Sequence, residues 1–187
     1  MTLLPLDEIN QFRVTLEAHF GEDGKLRSKQ DEEDIIDEML DLFLLSAALG
    51  SQSANDDLGT DYHIGTKTAV DIIDREVAGK TWRERVREYF DNGGTAADIM
   101  RIAETEAHRD ANESAFVTAE AVGAKTKTWH CLLLPTSRES HIYLNNVTAP
   151  IDGYFYSIHG GSTRFPGEWG IADEDVNCYC YCTFSKD

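Results

Sequence analysis

The sequence lacks the apolar run that a membrane-spanning helix needs. Such a helix takes about 18 consecutive apolar residues, and the longest stretch here, Met39 to Leu49, is interrupted by Asp41 and Ser46. Positive charge is also scarce, with 17 Lys and Arg against 34 Asp and Glu and a net charge of −17. A field of that sign repels phosphate backbones and anionic lipids, which disfavours generic nucleic-acid or membrane binding. The stretch Met1 to Glu8 has no basic segment followed by an apolar one, so no secretory leader and an intracellular setting are expected. Cysteine is absent before Cys131. Missing too are G-x-G-x-x-G, the P-loop, H-E-x-x-H and G-x-S-x-G, which removes the common nucleotide, metalloprotease and serine-hydrolase signatures.

What remains, 187 residues with 41% apolar and 10% aromatic content, suits one domain or one domain with an extension, and excludes fibrous and wholly disordered chains. Apolar spacing predicts a first helix over Leu6 to Phe20. A second starts in the acidic octet Asp31 to Glu38 and closes at Gly50, with so continuous an apolar surface (Ile35 to Leu49) that it must be buried or paired with a partner. Ser51 to Gly65 is polar and turn-rich and reads as a loop or hinge. Helices are then expected over Thr66 to Ala78, from the capping box Thr81-Trp-Arg-Glu84 to Asn92, and over about Thr95 to Val122, stopped by Gly123. Beyond Lys125 the pattern changes to short β-branched and aromatic runs, Thr126 to Leu134, His141 to Thr148, Ile151 to Ile158 and Val176 to Phe184, separated by Pro and Gly. Helices first and strands afterwards predict an α+β fold: N-terminal helices, one of them long, then a small, mostly antiparallel sheet. The division expected is a helical region over 1–65, a candidate for partner docking, and an α+β module over 66–187.

Three constellations could carry chemistry. Spacing by three and four places Glu106, Arg109 and Glu113 on one helix face with Asn112 beside them, either as an ion-pair ladder or as a polar site. Arg138-Glu-Ser-His141 could bind an anion, ligate a metal or supply a base, or could be a loop histidine bonded to backbone. In Asn177-Cys-Tyr-Cys-Tyr-Cys182, strand alternation turns Cys178, Cys180 and Cys182 the same way but about 7 Å apart. That separation is too wide for one zinc unless the backbone bends. With a bend, Cys131, His141, Cys178 and Cys180 would make a zinc site; without one, the thiols are small apolar core groups. Lys80, Arg83, Arg85 and Arg87 offer a local basic segment that could touch DNA weakly.

The ordered series Gly79-Lys-Thr-Trp82, Arg101-Ile-Ala-Glu-Thr105-Glu106, Asn112, Gly123, Lys127-x-Trp129, Arg138-x-Ser140-His141, Pro150, Phe155, Pro166-Gly167 and Asn177-Cys178-x-Cys180 resembles the Mu F-like domain of head morphogenesis, or minor head, proteins of tailed bacteriophages. The resemblance covers about residues 79–184, and the first 65 residues match nothing comparable. Leu134 and Tyr179 stand where that family usually has Asp and Arg. The resemblance implies a low-copy structural protein of the virion, joined to the portal or major capsid protein during assembly in the host cytoplasm, and linked in some relatives to DNA packaging or ejection. It implies no enzymatic activity, no membrane partner and no certain cofactor, and the extra cysteines of some relatives fit zinc. The domain is sometimes fused to toxin domains, and this chain is expected to be the head-protein module alone. The competing expectations are a hydrolase or transferase using Glu106, Arg138 and His141, and a zinc-stabilised binding module.

Overall fold

The computed structural model describes residues 5–187; Met1 to Leu4, part of the stretch read for a leader, lie outside the described residues. Helix α1 (Leu6–Ala18) turns Ile9, Phe12 and Leu16 inward. Ser28 opens α2 (Lys29–Leu58) by accepting the Asp31 backbone N–H at 3.2 Å, and Asp31 and Glu32 occupy the first turn, where the helix dipole favours negative charge. Then follow α3 (Thr66–Ile73), α4 (Trp82–Asp91) and α5 (Ala96–Ala121). Capping boxes start the last two, Thr81 with Glu84 and Thr95 with Asp98. None of the described helices is long and apolar enough to cross a membrane.

The loop expected over Ser51 to Gly65 is corrected in its first part, because residues 51–58 continue α2. Tertiary packing overrides the turn-forming composition. Small side chains there let α2 lie close to α5: a Cβ on Gly50 would fall 1.9 Å from the Ala111 carbonyl oxygen. The polar ones find partners, with Ser51 Oγ 2.8 Å from Thr118 Oγ1 and Asn55 Nδ2 donating to Tyr62 O at 2.8 Å. Much of the apolar face of α2 is buried within the chain, at Ile35, Ile36, Met39, Leu42 and Phe43, while Leu40, Leu44 and Leu45 are half-buried and Leu49 is exposed.

The β part is α+β as expected. Strand β1 (Thr126–His130) lies between β2 (Thr148–Pro150) and, at the far end of the chain, β5 (Tyr181–Ser185), both antiparallel to it. Trp129 pairs with Cys182 and Lys127 with Phe184. A second ladder joins β3 (Phe155–Tyr156) to β4 (Ser162–Thr163). The strand expected over His141 to Thr148 is corrected: its first half belongs to helix α6 (Glu139–Leu144). There the chain forms a short helix with Ser140, His141 and Leu144 buried and Ile142 and Tyr143 exposed. A further helix, α7 (Ala172–Asp175), precedes the cysteine segment.

Two apolar cores result. One gathers α1, α2, α4 and the first half of α5 around Phe43, Trp82 and Ile99, and the other gathers the second half of α5, the sheet and its loops around Phe116, Trp129 and Phe155. Between them α5 carries a buried polar stretch from Glu106 to Asn112.

Candidate functional site

The cysteine segment does not stay in one strand. Only Cys182 lies within β5; Cys178 and Cys180 fall in the irregular stretch before it. Asn177 takes φ +56, a left-handed conformation that Asn tolerates better than most residues. This is the bend that strand alternation alone forbids, and it brings both sulfurs to one imidazole. His141 Nδ1 lies 3.5 Å from Cys178 Sγ and 3.5 Å from Cys180 Sγ. The three ligand atoms lie within 4.8 Å of one another, and all three residues are buried. Cys131, at the end of β1, lines the same small cavity of about 20 Å³ with Arg138, His141, Asn177, Cys178 and Cys180. Its backbone N–H is held by Asn145 Oδ1 at 3.0 Å. All four cysteines are free thiols.

The imidazole is fixed on every side. Its Nε2 sits 3.0 Å from Glu174 Oε2, within ion-pair distance but without the geometry of a hydrogen bond. Glu174 in turn accepts from Ser140 Oγ at 2.9 Å and from Ser157 Oγ at 3.1 Å. Trp169 stacks on the ring with centroids 6.3 Å apart, and Trp129 meets it edge-on at 5.7 Å. The Asp175 carboxylate accepts the backbone N–H groups of Trp169, Gly170 and Ile171 at 3.1, 2.8 and 3.3 Å, which ties the loop that carries both Trp169 and Glu174. Burial nonetheless pushes Asp175 up to about 6. The Cys180 thiol, aided by His108 and His141, holds the Cys178 thiol well below the ordinary thiol range against the effect of burial. Cys180 itself is pushed up by Cys178 and by burial.

The remaining motif residues sort into two groups. Asn112 Nδ2 donates to the Cys180 carbonyl at 3.3 Å and the His108 carbonyl at 3.0 Å, an Arg138 guanidinium nitrogen donates to the Val176 carbonyl, and Ser140 reaches Glu174. With Trp129, Asn177 and the His–Cys cluster they converge on one place. Thr105 and Glu106 do not join them. Glu106 is buried between Arg85 at 2.7 Å and Arg109 at 2.6 Å, and the Thr105 hydroxyl is buried without a partner among the described residues. Arg109 also pairs with Asp110 at 2.9 Å, and burial pushes Asp110 up to about 8 despite that pull. Gly167 passes over this layer with φ +89, and a Cβ there would lie 3.2 Å from the Arg109 Cα, so both backbone conformation and space require glycine.

Sequence reasoning missed Glu174, Trp169 and Asp175. Glu174 sits in the run Asp173-Glu-Asp175, which reads as solvated surface, and only its single turn of helix turns it inward. Each basic residue of the segment that could touch DNA weakly has an acidic partner within the chain. Lys80 pairs with Glu88, Arg83 with Asp74, Arg85 with Glu106 and Arg87 with Glu33. The acidic octet is engaged in the same way, with His19 beside Asp31 and Glu38 and Arg87 paired with Glu32 and Glu33.

No family model matches the chain, and no solved structure matches it at a significant level. Curated proteins do. Over 94 residues, 49% of this chain and 30% of the relative, it is 33% identical to the minor head protein GP7 of Bacillus phage SPP1. Over 116 residues, 58% of this chain and 23% of the relative, it is 32% identical to the NAD(+)–arginine ADP-ribosyltransferase EFV of Enterococcus faecalis. The chain therefore spans less than a third of the length of either relative. Over about half of its own length it is similar both to a phage head protein and to a segment of an enzyme.

Proposed function

We propose that this chain is a structural component of a phage head: a minor head protein of Mu F-like type that joins the capsid near the portal during assembly in the host cytoplasm. Its part would lie in head assembly and in the packaging or ejection of DNA, without catalysis. The observation that carries this reading is the 33% identity to a minor head protein over about half of the chain. The later part of the ordered motif series supports the Mu F-like assignment, because Asn112, Trp129, Arg138, Ser140, His141, Asn177, Cys178 and Cys180 gather around one buried point and hold the cysteine segment, α6 and α5 together.

A second reading, an enzyme of the transferase or hydrolase class, rests on the similarity to the ADP-ribosyltransferase. Each residue named for its polar site is engaged within the chain. Glu106 is engaged by Arg85 and Arg109, Arg138 by a backbone carbonyl, and His141 by Glu174 and two thiols. Two segments that fit one structural module and one much longer enzyme are most simply a shared scaffold.

The test is to co-express the tagged chain with the portal and major capsid proteins of its own genome and purify through the tag. Co-purification of the portal protein at fixed stoichiometry is expected. Failure to retain either protein would reject the assembly reading, and transfer of ADP-ribose from NAD to an arginine analogue by the purified chain would establish the second one.

A further inference from the structure

The residues around His141 form more than a packed polar core. Two sulfurs at about 2.3 Å and an imidazole nitrogen at about 2.0–2.1 Å from a common tetrahedral centre stand roughly 3.5 Å apart along each nitrogen–sulfur edge. The observed separations from His141 Nδ1 to Cys178 and Cys180 are both 3.5 Å. A single bare nitrogen cannot serve two thiols as hydrogen-bond acceptor equally well, yet it is equidistant from them. The carboxylate of Glu174 faces the other ring nitrogen and favours a proton there, which leaves the Nδ1 lone pair aimed at the sulfurs. Such a carboxylate behind a ligating histidine is the usual outer support of a metal site.

We infer that this chain binds one zinc-type metal ion through His141 Nδ1, Cys178 Sγ and Cys180 Sγ, with the Cys131 thiolate as fourth ligand. Cys131 lines the same cavity but its sulfur stands outside the 4.8 Å cluster of the other three ligand atoms, so it would close on the ion as it binds; a volume of about 20 Å³ is room for one water-sized sphere. Soft thiolates with imidazole select zinc over magnesium or calcium. Four protein ligands fill a tetrahedron and leave no position for substrate, so the metal is structural. It ties together β1, α6 and the segment after α7, elements distant in sequence. The Asn177 bend, Asn112 on the Cys180 carbonyl, and the two tryptophans on the imidazole are what aim the ligands. This inference stands whether or not the chain enters phage heads.

Metal analysis of the purified wild-type chain, stripped with chelator and reloaded with zinc, is expected to show one zinc per chain and a rise in melting temperature on loading. Cobalt in place of zinc should give the visible bands of a tetrahedral site with thiolate charge transfer. That intensity should drop by about a third in Cys131→Ser, as one of three thiolates is removed. Cys178→Ala and Cys180→Ala should lose stoichiometric metal, while Cys182→Ala keeps it. Glu174→Gln should weaken binding by about 10- to 100-fold. Should the Cys178 and Cys180 variants fail to fold, the wild-type titration decides alone. A folded wild-type chain that takes up neither zinc nor cobalt would overturn the inference, and cobalt charge transfer unchanged in Cys131→Ser would remove Cys131 from the site.

Discussion

The two ends of α5 are buried by different chemistry. Toward its start, Ile99, Met100 and Ile102 meet Phe12, Phe43 and Trp82 in an aliphatic and aromatic core. Toward its end, Ala111, Ala115 and Ala119 present almost no side chain, and the second core is filled by Phe116, Trp129, Trp169, Phe155 and four cysteines, three of which line the cavity beside a buried histidine. The first core follows from apolar area alone, which is non-directional and tolerates substitution by residues of similar volume. The second depends on directed groups, namely Glu174 on His141, Asn112 on Cys180 and Lys127 Nζ on the Ile151 and Gly153 carbonyls at 2.8 Å each. Buried polar networks of that kind specify one arrangement when complete and are costly when broken. The comparison thus separates a half that supplies stability from a half that supplies a defined site.

The tryptophans sharpen that comparison most. Trp82 meets Phe43 edge-on at 4.9 Å in one core, and Trp129 meets His141 and Phe155 in the other; both are fully buried. Each change to Ala should cost about 3–5 kcal/mol in denaturant unfolding, but only Trp129→Ala should also weaken metal uptake. Equal loss of metal in both variants would erase the distinction between the halves. Gly50→Ala comes next. Alanine gains up to about 1 kcal/mol of helix propensity over glycine, yet its Cβ would sit 1.9 Å from the Ala111 carbonyl oxygen. The clash wins, so a net loss of about 2–3 kcal/mol is expected, with α2 and α5 forced apart.

The polar layer between the cores has its own signature. Asp110 has an ordinary pKa of 3.8 and is pushed up to about 8 by burial. Between those values the folded chain holds a proton that the unfolded chain releases. Its contribution is therefore fully present below pH 4 and is lost as pH rises through about 8. Melting temperature measured from pH 5 to 8 should fall with rising pH, and Asp110→Asn should flatten that slope. A slope unchanged in the variant would assign the effect to the net charge of −17 instead. The smallest effect belongs to the capping box of α4: Thr81→Ala should cost about 1 kcal/mol in the helical half and leave metal content untouched.

The order of elements was legible in the sequence because helix punctuation is local. Thr81 with Glu84, Thr95 with Asp98 and Gly123 announce their helix ends through neighbouring backbone groups. Residues 51–58 and 141–144 were misread because their conformation is set from a distance. Close approach to Ala111 and Thr118 keeps the former helical, and burial against Trp129 and Glu174 holds His141 in the latter. The candidate site was half legible. His141, Cys178, Cys180 and Cys131 are ligand types that can be read from residues, whereas the Asn177 bend and the inward turn of Glu174 are properties of the packed chain.

Incorporation into particles tests the functional reading most directly. Heads assembled from the complete set of head proteins with the full chain present should be purified, washed in salt and quantified by mass spectrometry. A low and fixed number of copies retained per particle is the expected result. Particles that assemble normally and contain none of the chain would contradict the assignment to the phage head.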